Sequence, residues 1–157
     1  MAENIDGYWR GWLIDDLGSQ KVEVLEQIEK AINDRRIPMY GNRDKDEGVT
    51  VKSGTVDMWW RQDTPQLAIT SEMDGTVKAS VATQDYGNSL WIHVWLERKD
   101  EKMFFGDNWA KRMHWAAFQE SLERVVNEVV HDIAGNKIVM DVFDPRDKIN
   151  KNKLNKN

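Results

Sequence analysis

The sequence predicts an α+β fold, an antiparallel β-meander packed against an N-terminal helix and a long C-terminal helix, and three observations predict it. Residues 66–98 read as three strands separated by Asp74-Gly75 and Gly87-Asn88, dipeptides that favour two-residue hairpin turns. Two flanking stretches instead repeat apolar residues at helical spacing. The order is helix, meander, long helix, without the strand–helix alternation that builds a parallel sheet.

Tyr8-Trp9-Arg10-Gly11-Trp12-Leu13-Ile14 reads as a short aromatic strand. A helix is expected from Ser19, a suitable N-cap, with Val22, Leu25, Ile28 and Ile32 as its apolar stripe and Val24 and Ala31 alongside. Arg35 and Arg36 complement the negative end of its dipole, and Ile37-Pro38 ends it. Residues 41–48 form a charged loop that lacks the spaced acids of a calcium site. Val49–Ser53 and Thr55–Arg61 then read as two strands joined near Gly54, and Pro65 as a break before the three strands of the meander.

Those three strands are expected at 66–73, 76–86 and 89–98, and two-residue turns fix their register. A turn at Asp74-Gly75 pairs Ile69 with Ser80 and Leu67 with Ala82; one at Gly87-Asn88 pairs Ala82 with His93, Ser80 with Trp95 and Lys78 with Glu97. The opposite charges of the last pair support the second register. With alternating side chains, one face then carries Leu67, Ile69, Ser80, Ala82, Trp91, His93 and Trp95. The other carries Ala68, Thr70, Ala79, Val81, Ile92, Val94 and Leu96, so strand 89–98 is expected to be central and covered on both sides. The long helix follows, capped by Asp107 or Asn108, with Trp115, Phe118, Leu122, Val125, Val129 and Ile133 on one stripe and Gly135-Asn136 as its exit. Ile138–Phe143 adds a last strand before Pro145.

Composition narrows the function classes. A chain of 157 residues suits one domain able to bury roughly 70% of its unfolded surface. The domain is expected over 1–145, with 146–157 a disordered Lys/Asn-rich tail. Of the net charge of −5, the tail contributes +4 and the body −9, and an acidic body argues against nucleic-acid binding. The absence of cysteine removes thiol nucleophiles, disulfides and thiolate metal sites, and it fits a reducing compartment. With no signal-like start and no long apolar run, a cytoplasmic protein without membrane contact is expected.

Recognisable catalytic chemistry is sparse. Neither glycine-rich phosphate motif occurs, and the G-x-S-x-G nucleophile elbow is missing. Glu128 and His131 have E-x-x-H spacing, but carboxylate-bridged metal sites need a second copy and further glutamates, so no metal and no cofactor are expected. His93 lies between Trp91 and Trp95 with Ala82 opposite, which leaves room above it. No acid or hydroxyl can be assigned to it as a catalytic partner, and a core histidine is the simpler account. Eight tryptophans are the compositional oddity. Tryptophan concentrates at binding hot spots, and large rims at Trp91 and Trp95 above a small floor at Ser80 and Ala82 make a groove.

The element order is similar to that of a helix-grip fold, in which a curved antiparallel sheet wraps a long C-terminal helix and often holds an apolar ligand. That resemblance makes 7–14 the first strand and 108–134 the gripping helix. Three functions follow as expectations. The first is a non-catalytic domain, self-associating through the Trp91/His93/Trp95 face or the Trp9/Trp12 segment. The second is a small apolar-ligand binder or cofactor-free enzyme of helix-grip type, and the third an acidic inhibitor or immunity-type protein that opposes a basic partner.

Overall fold

The computed structural model describes residues 5–35, 49–58, 61–71, 77–99 and 109–143. Its elements are β1 (Ile5–Ile14), a 3-10 turn at Gly18–Gln20, α1 (Lys21–Arg35), β2 (Val49–Met58), β3 (Arg61–Ser71), β4 (Val77–Tyr86), β5 (Ser89–Lys99), α2 (Trp109–Ala134) and β6 (Val139–Phe143). The six strands form one antiparallel sheet in the order β2-β3-β4-β5-β1-β6. The α+β architecture is the expected one, and β1 and α2 occupy the places of the first strand and long helix in the helix-grip order. The sheet departs from that order at β6, which returns after α2 to pair with the outer edge of β1.

Both helices lie on the same face of the sheet. The core joins Val24, Leu25, Ile28 and Ile32 of α1 and Phe118, Leu122, Val126 and Val130 of α2 to Trp12, Ile14, Leu67, Ile69, Val81, Ile92, Val94 and Leu96 of the strands. Fully burying aliphatic side chains of this size stabilises by about 1.5–3 kcal/mol each. Trp12 has no exposed surface, and its indole Nε1 donates to Asn127 Oδ1 at 3.1 Å, which ties α2 to β1. On β1, Arg10 lies over the Trp12 ring at 4.6 Å and the Phe143 ring at 4.9 Å and bonds Asp141 Oδ1 at 3.2 Å, holding β6 in place.

Several expectations are corrected. The β4–β5 register is as expected, with Lys78 facing Glu97, Ser80 facing Trp95 and Ala82 facing His93. The β3–β4 register is shifted by one residue: Leu67 faces Val81 and Ile69 faces Ala79, while Ala82 faces Gln66. Thr70 opposite Lys78 leaves an odd number of residues in the connection, which a two-residue turn at Asp74-Gly75 cannot provide; residues 72–76 themselves lie outside the described residues. Since a one-residue shift turns every side chain over, Leu67 and Ile69 belong to the helix-covered face. Ala68 and Thr70, expected to share a face with Val81 and Val94, lie instead on the opposite face, across from Ser80 and Lys78.

Residues 49–58 are one strand running through Gly54, paired with β3, and not two strands joined there. Pro65 does not break the chain. It sits within β3 opposite Thr55, where pairing with β4 has yet to begin (the first β4 partner is Gln66), so its missing N–H is not required on that side. Val22 is 48% exposed and lies off the α1 stripe. Ser19 is exposed within the 3-10 turn, two residues before the first residue of α1, and is not at its cap position. Strand β5 is central, but both described helices cover the same side of it. The expected loop at 41–48, the caps Asp107 and Asn108, and the tail lie outside the described residues.

Candidate functional site

The sheet face turned away from the helices carries Trp9, Gly11 and Leu13 of β1, Trp91, His93 and Trp95 of β5, Ser80, Ala82 and Gln84 of β4, and Gln66 and Ala68 of β3. The strand order sets these in cross-strand rows. Trp9, Trp95, Ser80 and Ala68 form one; Gly11, His93, Ala82 and Gln66 form the next; Leu13, Trp91 and Gln84 form a third. Of the residues singled out in the sequence, Trp91, His93, Trp95, Ser80 and Ala82 are brought together here. Leu67 and Ile69 are not.

Trp9 was paired with Trp12 as a single segment, yet residues three apart in a strand point to opposite faces. Trp9 therefore joins the face that neither described helix covers, directly opposite Trp95, while Trp12 enters the core. The β6 partner of Leu13 is Met140, 54% exposed, which carries the apolar surface to the sheet edge.

His93 is at the centre of an aromatic ladder. Its ring stacks on Trp95 with centroids 5.3 Å apart and planes 19° from parallel, and meets Trp91 edge-on at 5.6 Å. Trp91 in turn meets Tyr86 at 5.9 Å and 87°. Only 7% of His93 remains exposed, and burial pushes its pKa down to about 4, so the ring is neutral near pH 7. Its strand neighbours Trp91 and Trp95 and its cross-strand neighbours Gly11 and Ala82 are all uncharged, so nothing beside it offsets the loss of hydration.

His93 Nε2, Trp91 Nε1 and Gln66 Oε1 are buried without a hydrogen-bond partner among the described residues. Such atoms cost stability, about 1–3 kcal/mol each, and here they gather on one face.

Gly11 explains how Trp91 fits. A Cβ built on Gly11 would lie 2.6 Å from Trp91 Nε1 and 3.3 Å from the Ile92 carbonyl oxygen, so the indole occupies the space a side chain would take. Sequence reasoning passed over this residue. The available signal was a glycine inside an aromatic strand, which commonly marks close approach of another group.

A charged cluster lies at the β4–β5 turn. Asp85 Oδ1 accepts from Arg61 Nη1 and, at 3.3 Å, from Lys21 Nζ. The Arg61 hydrogen bond, followed by that from the Asp85 backbone and that from Lys21, lowers the Asp85 pKa to about 2. Two contacts bring Lys21 there: Thr83 Oγ1 donates to the Lys21 carbonyl at 2.7 Å, and the Gly18 N–H donates to the Asn88 carbonyl at 3.0 Å. The Lys21, Arg61 and Asp85 cluster has no signal in the sequence, because its members are far apart along the chain.

The remaining sequence candidates are separate from both features. His131 is exposed in the last turn of α2, and Glu128 lies 3.9 Å from Arg124 on the same helix. No helix among the described residues is long and apolar enough to cross a membrane.

The fold and face define an α+β domain whose two helices cover one side of an antiparallel sheet and whose other side is aromatic. No protein-family model matches the chain, and no curated protein matches it. A solved structure described as "Crystal structure of Ara h 8.0201" aligns with 81% of this chain and 99% of its own, at 11% identity and a TM-score of 0.37. A likeness that remote carries no argument about function.

Proposed function

We propose that the chain is a non-catalytic interaction domain that self-associates through the sheet face that neither described helix covers. The observation that carries this reading is the placement of three partly exposed tryptophans, Trp9, Trp91 and Trp95, around His93 on the side of the sheet that neither described helix covers. Tryptophan gives large contact area with little side-chain entropy to lose, and aromatic clusters of this kind dominate interface energetics.

Size supports a second copy as the occupant. Four strands, β4, β5, β1 and β6, each about 4.8 Å from the next, with the longer ones about 33 Å in length, offer a footprint of roughly 600 Å². A stable pairwise interface takes about 800 Å² per partner, so this face plus a modest rim suffices. Charge supports it as well. The chain is acidic, and like-charged copies associate best through a surface with little charge of its own. On this face the opposite charges Lys78 and Glu97 lie directly across from one another, at the far end from Trp91.

Light scattering on the purified chain over a range of concentrations tests the reading. A mass of twice the chain or more, falling on dilution, is expected; a monomer at every concentration would overturn it.

A further inference from the structure

We propose that the cleft at the β4–β5 turn, lined by Arg61, Asp85, Tyr86 and Trp91, binds a saccharide ring. The cleft has a volume of about 300 Å³, and Gln84 completes its lining. That is at the small end for ligand sites and large enough for one sugar ring with part of a second. Two of its walls are aromatic and stand at right angles, since the Tyr86 and Trp91 ring planes are 87° apart. Tyr86 is 63% exposed, which leaves a large part of its ring open to a ligand.

The chemistry selects the ligand class. A pyranose presents C–H bonds from its ring faces, and these partly positive hydrogens suit the negative face of an aromatic ring. Its edge presents hydroxyl groups, each of which both donates and accepts. Beside the aromatic corner, Arg61 offers only donors and Asp85, held ionised by Arg61 and Lys21, only acceptors. A hydroxyl, or two on neighbouring carbons, satisfies both groups at once without adding charge.

An anionic ring would place its charge against the Asp85 carboxylate and compete with that carboxylate for Arg61. A purely apolar ligand would strip water from both charges without replacing it. The carboxylate is also fixed in advance. Lys21 and Arg61 reach it from two directions, and Lys21 is anchored by the Thr83 hydroxyl, so little ordering is needed on binding.

The site is independent of self-association, because Tyr86 and Arg61 lie at the turn end of the sheet and outside the Trp9/His93/Trp95 centre of the open face. The full chain can be titrated with glucose, galactose, mannose and N-acetylglucosamine, and separately with benzoate, while the backbone amides of Asp85, Tyr86 and Trp91 are followed by NMR. Saturable shifts in the millimolar range are expected from at least one of the four sugars. Tyr86→Ala and Asp85→Asn are each expected to weaken that binding by roughly tenfold or more. Both variants should keep the far-UV signal and the solution mass of the parent, and Tyr86, being largely exposed, is safe to truncate. If no sugar gives a saturable shift up to about 100 mM, if benzoate saturates the same amides more tightly, or if Tyr86→Ala binds as well as the parent, the proposal is wrong.

Discussion

The indole of Trp91 lies against Gly11 of the neighbouring strand, in the space a β-carbon would fill, with Nε1 2.6 Å from where that carbon would be. The shape of the aromatic face thus depends on the one residue type without a side chain. A methyl group at position 11 must displace an indole that is already packed between Tyr86 and His93.

Gly11→Ala is therefore expected to lower stability by about 1–3 kcal/mol, the usual cost of overpacking, despite alanine's better backbone entropy. The near-UV circular dichroism of the tryptophans should change while the far-UV signal stays. A variant that melts at or above the parent temperature would mean that Trp91 moves aside freely and that the ladder is not rigidly packed.

The contrast between the two hairpins shows what was legible in the sequence. Gly87 takes φ 62°, the left-handed conformation a tight turn requires, and the β4–β5 pairs follow from it as written. Asp74-Gly75 carries the same kind of signal, yet the paired residues beside it leave an odd-length connection. A dipeptide marks where the chain turns, but loop length fixes parity, and parity decides the face on which Leu67 and Ile69 lie. The β1–β5 pairing that sets Trp9 against Trp95 has no local signal, because the partners are more than eighty positions apart. The Arg61–Asp85–Lys21 cluster was invisible for the same reason.

Acid should destabilise the fold through His93. Its pKa is about 4 when folded and near 6.5 when exposed, so between those values the unfolded chain binds the proton more readily. Stability contributed by the neutral ring is present above about pH 6.5 and is lost as pH falls toward 4, to a total on the order of 3 kcal/mol. His93→Phe keeps an aromatic ring in the ladder and cannot take up a proton. Urea denaturation at a series of pH values should show a slope in this window for the parent that is largely absent in the variant. Equal slopes in both proteins would assign the effect to other groups.

The link between Trp12 and Asn127 should be worth more than its distance suggests. Trp12 is fully buried, and its N–H has Asn127 Oδ1 as acceptor at 3.1 Å, so Asn127→Ala strands a buried donor. A loss of about 1–3 kcal/mol is expected, with faster hydrogen exchange at the Trp12 indole. Asn127→Asp retains an acceptor oxygen and should recover much of the loss. If alanine and aspartate behave alike, the hydrogen bond does not hold α2 to β1.

Trp95 separates the proposed contact face from a purely structural role. Its ring stacks on His93, lies across from Trp9 and Ser80, and is outside the core that joins sheet to helices. In an interface, truncating a central tryptophan costs about 2 kcal/mol or more of association free energy, enough to raise the dissociation constant some thirtyfold. Trp95→Ala should then scatter light as a monomer at concentrations where the parent is assembled. The far-UV signal of that monomer should match the parent, since Ile92, Val94 and Leu96 still meet the helices on the opposite face. Were the ring there only to seal its own fold, removing it would open a cavity and cost about 3–5 kcal/mol of stability with assembly unaltered. A Trp95→Ala protein that remains assembled yet melts far below the parent would accordingly exclude this face as the contact surface.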